Sequence, residues 1–154
     1  MDNIYSQLMQ SLITATKSIF PDNKVIRANN NGQEPDNPYI VISLIRNNQI
    51  GLAQNDTHLS ATGKMRTRVN YEALVQFSFI SIDNEVAADL AYTFIQYLNT
   101  PKTREIFKIN NLGKTGVSSI RNVSSKRESE WAQHYNIDVT FVYSSITTQD
   151  MTPI

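Results

Sequence analysis

Gly113-Lys114-Thr115 is the stretch whose residue types come closest to a chemical motif, because it looks like the end of a phosphate-binding loop. That loop needs a second glycine five residues before Gly113, and position 108 is a lysine. It also needs a strand before it and a helix after it, whereas the hydrophobic pattern here predicts a helix and then a strand. The sequence therefore favours a helix C-cap at Gly113 over a nucleotide site.

The two histidines, His58 and His134, give no pattern of metal ligands. A zinc or catalytic site needs several convergent side chains, and only Asp56 lies near His58 in the sequence. The chain has no cysteine, which removes thiolate nucleophiles and cysteine-ligated metals. We therefore expect no catalytic residues, no cofactor-binding residues, no metal site and no enzyme activity.

A short basic row is formed by Lys64, Arg66 and Arg68, which share one parity of a predicted strand. One interpretation is a solvated face with acidic neighbours such as Glu72. The other is a row that forms salt bridges or faces DNA in an assembly. Because the net charge of the chain is zero, three basic residues give weak support for nucleic-acid binding.

The elements that would position these residues are led by the stretch 66–98. Apolar and polar residues alternate over 66–80, which predicts a long strand with one buried face. The period then changes to that of a helix over 84–98, which begins after the capping residue Asp83. We expect a core that contains Phe77, Phe79, Phe94, Val139 and Phe141.

A second alternating stretch, 131–146, matches 66–80 in length and pattern, so we pair the two antiparallel. These strands and the helical patterns predict an α+β sandwich with one mainly antiparallel sheet and two to three helices packed on one face. The remaining predicted elements are helices 3–19 and 101–110, strands 24–28, 39–46 and 117–123, and a polar connector 124–130.

The segment 47–65 is polar and long, and we expect a protruding β-hairpin loop there. It is either a mobile tip, or two strands that continue past the body and become ordered against a neighbour. We favour mobility in the free monomer and order in the assembly. Candidate interface residues are Asn48, Ile50, Leu52, His58, Leu59, Arg66 and Arg68. The polar residues 147–154 are expected to form a flexible C-terminal tail.

Length and composition predict one soluble domain over residues 1–154. The absence of cysteine fits synthesis in a reducing compartment such as the cytoplasm, or a particle assembled in one. No apolar run approaches the length of a membrane helix, and no secretory leader is visible.

The sequence resembles the neck or tail terminator proteins of tailed bacteriophages. The resemblance rests on the strand 68–80, on Ile82-Asp83-Asn84-Glu85-Val86 that follows it, and on the run from Arg127 through Trp131 to Phe141. It covers residues 66–146 well, and the N-terminal third agrees in pattern only.

The resemblance implies a structural virion protein of the tail or neck that forms a ring, usually a hexamer. Such a ring caps the tail tube and joins it to the head–neck connector. Its implied partners are tail tube or sheath proteins and connector or adaptor proteins, with no membrane partner. Genomic DNA would pass through the ring without sequence-specific binding. Two alternatives stay open: another tail component, such as a tail-completion or tube-like protein, and a small-ligand-binding domain.

Overall fold

The computed structural model describes residues 4–28, 38–56, 64–123, 125–127 and 130–150. Within them the chain forms three helices and seven strands. In chain order these are α1 (Ile4–Ile19), β1 (Lys24–Arg27), β2 (Tyr39–Asp56), β3 (Lys64–Ser81), α2 (Asn84–Leu98), α3 (Pro101–Ile109), β4 (Gly113–Val117), β5 (Arg121–Asn122), β6 (Ser125–Arg127) and β7 (Glu130–Asp150).

The sheet is built around the two long strands β3 and β7. They pair antiparallel without a register shift from Lys64↔Asp150 to Ser81↔Gln133, as their matching alternation predicts. The strand order is β1-β2-β3-β7-β4, in which only the edge strand β1 runs parallel to its neighbour, and β5 and β6 also pair with β7. The predicted α+β fold with one mainly antiparallel sheet is confirmed.

The core lies between one face of this sheet and the three helices. Alternate residues of β3 and β7 turn towards the helices, and the five aromatic and aliphatic core residues predicted from the sequence are fully buried. The Phe94 ring of α2 packs 4.7 Å from Phe77 and 5.4 Å from Phe79 between ring centroids. Phe107 of α3 lies 5.0 Å from Phe141, and the α1 residues Leu8 and Leu12 belong to the same cluster.

Local sequence sets the starts of two helices. The Asp83 side chain accepts a hydrogen bond from the Glu85 amide at the start of α2, as predicted. Thr100 accepts from the Thr103 amide at the start of α3, where Pro101 occupies the first helical position.

The end of α3 differs from the prediction. The residue in the left-handed conformation is Asn111, with a φ of 63°, and not Gly113, which is the first residue of β4. The amide of Leu112 bonds to the Phe107 carbonyl at 2.8 Å, and that of Asn111 to the Lys108 carbonyl at 3.0 Å. This pair of bonds is a Schellman motif, which asparagine tolerates because its side chain suits the left-handed region.

Four further predictions about the strands need correction. β2 does not end at Arg46 but continues to Asp56, and β7 does not end at Ile146, so residues 147–150 are strand and not a loose tail. The weak strand predicted over 117–123 is instead β4 and β5. Part of the predicted connector, 125–127, pairs with β7 as β6.

Candidate assembly interface

Three strands run on together beyond the helices, and we call their extension the arm: residues 47–56 of β2, 64–72 of β3 and 143–150 of β7. The nine residues of β3 in the arm span about 30 Å at strand spacing. Along the arm, residues 48–55 and 146–149 are exposed. Its order therefore depends on backbone pairing among three strands more than on apolar burial.

The root of the arm is fixed by aromatic and polar contacts that cross β3. The Tyr71 and Tyr143 rings stack with centroids 5.4 Å apart. The Tyr143 hydroxyl donates a 2.9 Å hydrogen bond to Oδ1 of Asn47. Burial raises the pKa of Tyr143 above its ordinary value of 10.0, because the charged phenolate would lose its hydration there.

Two bulges interrupt the pairing of β2 with β3. Ile45 is the extra residue between the pairs Leu44↔Val75 and Arg46↔Leu74. Further along, residues 51–53 lie between the pairs Ile50↔Asn70 and Gln54↔Arg68. Gly51 begins this second bulge with a φ of 67°, a conformation that favours glycine. The bulge presents Leu52 with 88% of its surface exposed.

The pairing places most of the predicted interface residues on one surface, the outer face of the arm, which is turned away from the helices. Asn48 and Ile50 of β2 pair there with Glu72 and Asn70, and Arg66 and Arg68 of β3 have the same parity. Leu52 lies in the bulge at the rim of this face. His58 and Leu59 lie outside the described residues. An interface role for all seven stays a prediction.

β7 also contributes to the outer face of the arm, which the sequence pattern did not indicate. A hollow of about 290 Å³ is lined by Gln54, Asn55, Arg66, Arg68 and Ile146. A second hollow of about 450 Å³ lies at the arm root and is lined in part by Ile50, Leu112 and Val142. The alternation of 131–146 indicated a strand long enough to reach the arm. The polar residues 147–150 that continue it show no alternation, so the sequence did not predict that they are strand.

The stretch Gly113-Lys114-Thr115, which looks like the end of a phosphate-binding loop, lies in a strand of the sheet. Lys114 lies in β4, and its ammonium donates a 3.1 Å hydrogen bond to the Leu98 carbonyl at the end of α2. Burial, and then the nearby Arg104 charge, lower the pKa of Lys114 from its ordinary value of 10.5.

In the part of the chain that the structure describes, no three histidine or acidic residues lie close enough to hold a metal ion. No helix among those residues has the length and apolarity needed to span a membrane. His134 lies in β7, opposite Ile80 of β3.

The fold and the arm define the class of the protein: an α+β domain with a tail-terminator-like architecture, as the sequence predicts. The family described as phage neck terminator protein matches residues 3–154, nearly the whole chain. The chain therefore belongs to the phage neck terminator protein family. It is a structural protein of the phage neck and tail, which implies a place in the virion and association with other tail and head–tail proteins.

Other comparisons add little to this assignment. No curated protein sequence matches the chain. One solved chain is 12% identical over 97% of this chain and 96% of its own length, with a TM-score of 0.41, which is too low to carry an argument.

Proposed function

We propose that this protein forms a closed homo-oligomeric ring of six subunits that caps the phage tail tube and joins it to the head–neck connector. It acts as a structural subunit and not as a catalyst. The subunit number comes from the resemblance to terminator proteins. Genomic DNA passes through the ring without sequence-specific contacts.

The observation that supports the ring best is the arm. The outer strands of this extension are exposed over residues 48–55 and 146–149, so they bury little within their own chain, and the arm is long enough to reach a neighbour. Strand edges left open in this way are covered or paired in stable proteins. Contacts between unlike surfaces of identical subunits close into rings when the rotation between neighbours permits it.

Charge is compatible with closure of the ring. The net charge of the chain is zero, so identical subunits do not repel one another strongly as they close. The basic residues Arg66 and Arg68 lie together on the outer face of the arm, next to the polar residue Gln54. In the ring they would meet acidic groups of a neighbouring subunit or of a tail protein.

The test is an arm-shortened variant in infected cells that depend on it for particle production. Residues 51–69 are replaced by a two-residue Asn-Gly turn, which keeps the pair Ile50↔Asn70 next to a tight hairpin turn. We expect heads and tails that fail to join, or tails of uncontrolled length, with the variant missing from purified particles. Normal joined particles that contain the shortened subunit would contradict the arm as the assembly element.

A second measurement separates the terminator from a tube-like or tail-completion protein. Copies of this protein per particle are counted by quantitative mass spectrometry against the portal protein. A terminator is expected at one ring per virion. A count that rises with tail length would identify a tube-like subunit and contradict the proposal.

A further inference from the structure

The edges of the sheet are covered along the body and open along the arm. β1 covers the edge of β2 over residues 39–42, and β4, β5 and β6 cover β7 at intervals over residues 130–142. Among the described residues, no strand lies against β2 beyond Ile42 or against β7 beyond Val142 on these outer edges. The arm thus carries two unlike open edges on one sheet.

The direction of the backbone groups on β7 follows from its contacts along the body. The carbonyls of His134 and Asp138 accept 2.8 Å bonds from the Val123 and Ser118 amides on the outer side. Backbone groups of successive strand residues point to alternate sides, and the pairing with β3 has no register shift. The N–H and C=O groups of Ile146 and Thr148 therefore point out of the open edge.

The direction of the backbone groups on β2 follows from its contact with Ala28, the residue after β1. The Ala28 amide donates to the Ile42 carbonyl at 2.9 Å, so Ile42 points away from β3. The Ile45 bulge shifts the alternation by one residue, after which Asn48 and Ile50 face β3 and Asn47 and Gln49 face outward. Ser144 of β7 also points outward, but its carbonyl accepts a 2.7 Å bond from Nδ2 of Asn111. Each open edge therefore offers at least two outward residues spaced two apart, Ile146 and Thr148 on β7 and Asn47 and Gln49 on β2.

The two edges differ in how well they are protected. On β2, bulges at Ile45 and at 51–53 confine the regular open stretch to a few residues. On β7, residues 143–149 contain no bulge, no proline and no charged side chain. Such an edge is a ready template for another strand. Ile146, which is 47% exposed, adds an apolar side chain beside it.

We propose that the β7 edge of one subunit pairs with the β2 edge of the next, so that the arms form one continuous sheet around the ring. This inference rests on the proposed ring. β2 and β7 both run antiparallel to β3, so they run in the same direction. A neighbour related by rotation about an axis along the arms presents its β2 parallel to β7.

The outward backbone groups define a register for this pairing, and the register in turn gives the tilt of the strands. Asn48 lies level with Val142 within one subunit, because both pair with Glu72. In a parallel ladder, the N–H and C=O of Ile146 can bond to Asn47 and Gln49 of the neighbour when Asn48 lies beside Ile146. This register shifts each neighbour along the strand direction by four residues, which is about 13 Å. Three strand spacings, about 14 Å in total, separate β2 of one subunit from β2 of the next. The strands then tilt by about 43°, within the 35–45° typical of closed sheets.

Cysteine cross-linking tests this pairing, because the chain has no cysteine of its own. The double variant Asn48→Cys with Ile146→Cys places two thiols on adjacent strands at a distance that a disulfide can span. The double variant Asn48→Cys with Thr148→Cys is the matched control, since its Cα atoms would lie about 8 Å apart in this register. Both are compared with the single variants in purified particles after mild oxidation. All replaced side chains are exposed, so the fold should tolerate them.

The expected result is a ladder of covalent oligomers up to the ring size for Asn48→Cys with Ile146→Cys. The single variants should stay monomeric, and the Thr148→Cys control should cross-link at least tenfold less. A ring visible in the particles without any ladder would overturn the edge pairing alone. Dimers from the Ile146→Cys single variant would instead indicate β7 paired with β7, and overturn it. Particles in which this protein forms no ring would contradict both the proposed function and the pairing.

Discussion

The hydroxyl of Tyr143 donates a 2.9 Å hydrogen bond to Oδ1 of Asn47, and so connects β7 to β2 across the intervening strand β3. Tyr143 also stacks on Tyr71, which belongs to β3 itself. The contact lies where the arm leaves the helix-covered body. It ties all three strands together at the last point where they have a buried face.

Replacement of Tyr143 by phenylalanine should reduce the free energy of unfolding by about 1 kcal/mol. The stacking of the ring on Tyr71 is retained, but the hydrogen bond is lost and the side-chain oxygen Oδ1 of Asn47 is left without this donor. Denaturant unfolding of the two proteins measures the difference. Tyr92→Phe is the control, because Tyr92 is 59% exposed and should change stability little. An equal loss in both variants would show that the contact does not support the arm root.

The raised pKa of Tyr143 predicts a specific loss of stability at high pH. The folded state holds the phenolic proton more tightly than the unfolded state, whose pKa is near 10.0. The stabilisation is fully present below pH 10.0 and is lost as the pH rises through the folded-state pKa. Unfolding free energies measured from pH 8 to 11 should fall more steeply for the wild type than for Tyr143→Phe. Parallel curves would contradict the burial of this phenol.

Truncation of Phe94 to alanine should cost about 3–5 kcal/mol, since the ring is fully buried among Phe20, Phe77 and Phe79. Chemical denaturation gives the value directly. Tyr92→Ala, on the same helix but exposed, is the matched control and should change stability by less than about 0.5 kcal/mol. An unchanged unfolding midpoint in Phe94→Ala would place α2 elsewhere.

Replacement of Leu52 by aspartate should reduce incorporation into particles without changing the stability of the folded monomer. Because Leu52 is 88% exposed, the monomer should keep its unfolding free energy within about 0.5 kcal/mol. Incorporation into particles should fall sharply, since a charge would enter a contact of the arm. Ile82→Asp is the control, because Ile82 is 54% exposed and follows the end of β3 that is opposite to the arm. Equal incorporation of both variants would remove Leu52 from the interface.

Sequence patterns predicted the body of the protein well because each element there has one buried face. The alternation of 66–80 and the helical spacing of Leu90, Phe94 and Leu98 both record which side chains meet the core. Val86, which shares that predicted spacing, is instead 36% exposed at the start of α2. The caps at Asp83 and Thr100 were readable because their side chains bond to local amides.

The extensions of β2 and β7 that form the outer strands of the arm could not be predicted from the sequence pattern. The outer strands of the arm are exposed over residues 48–55 and 146–149, so these mostly polar stretches carry no alternation to mark them as strand. Their order comes from backbone bonds to β3, which is distant in sequence and depends on register. Glycine gave the one usable local signal, since Gly51 marks the second bulge. The predicted residues Asn48, Ile50, Arg66 and Arg68 nevertheless share one face, because they lie on two paired strands with matching parity.

High-resolution imaging of the neck in intact virions would show directly whether this protein forms the proposed ring. We expect one ring of six copies of this chain at the head-proximal end of the tail tube, with each three-stranded arm in contact with the adjacent copy. Density for this chain as isolated subunits, or as a stack of rings along the tube, would contradict this expectation.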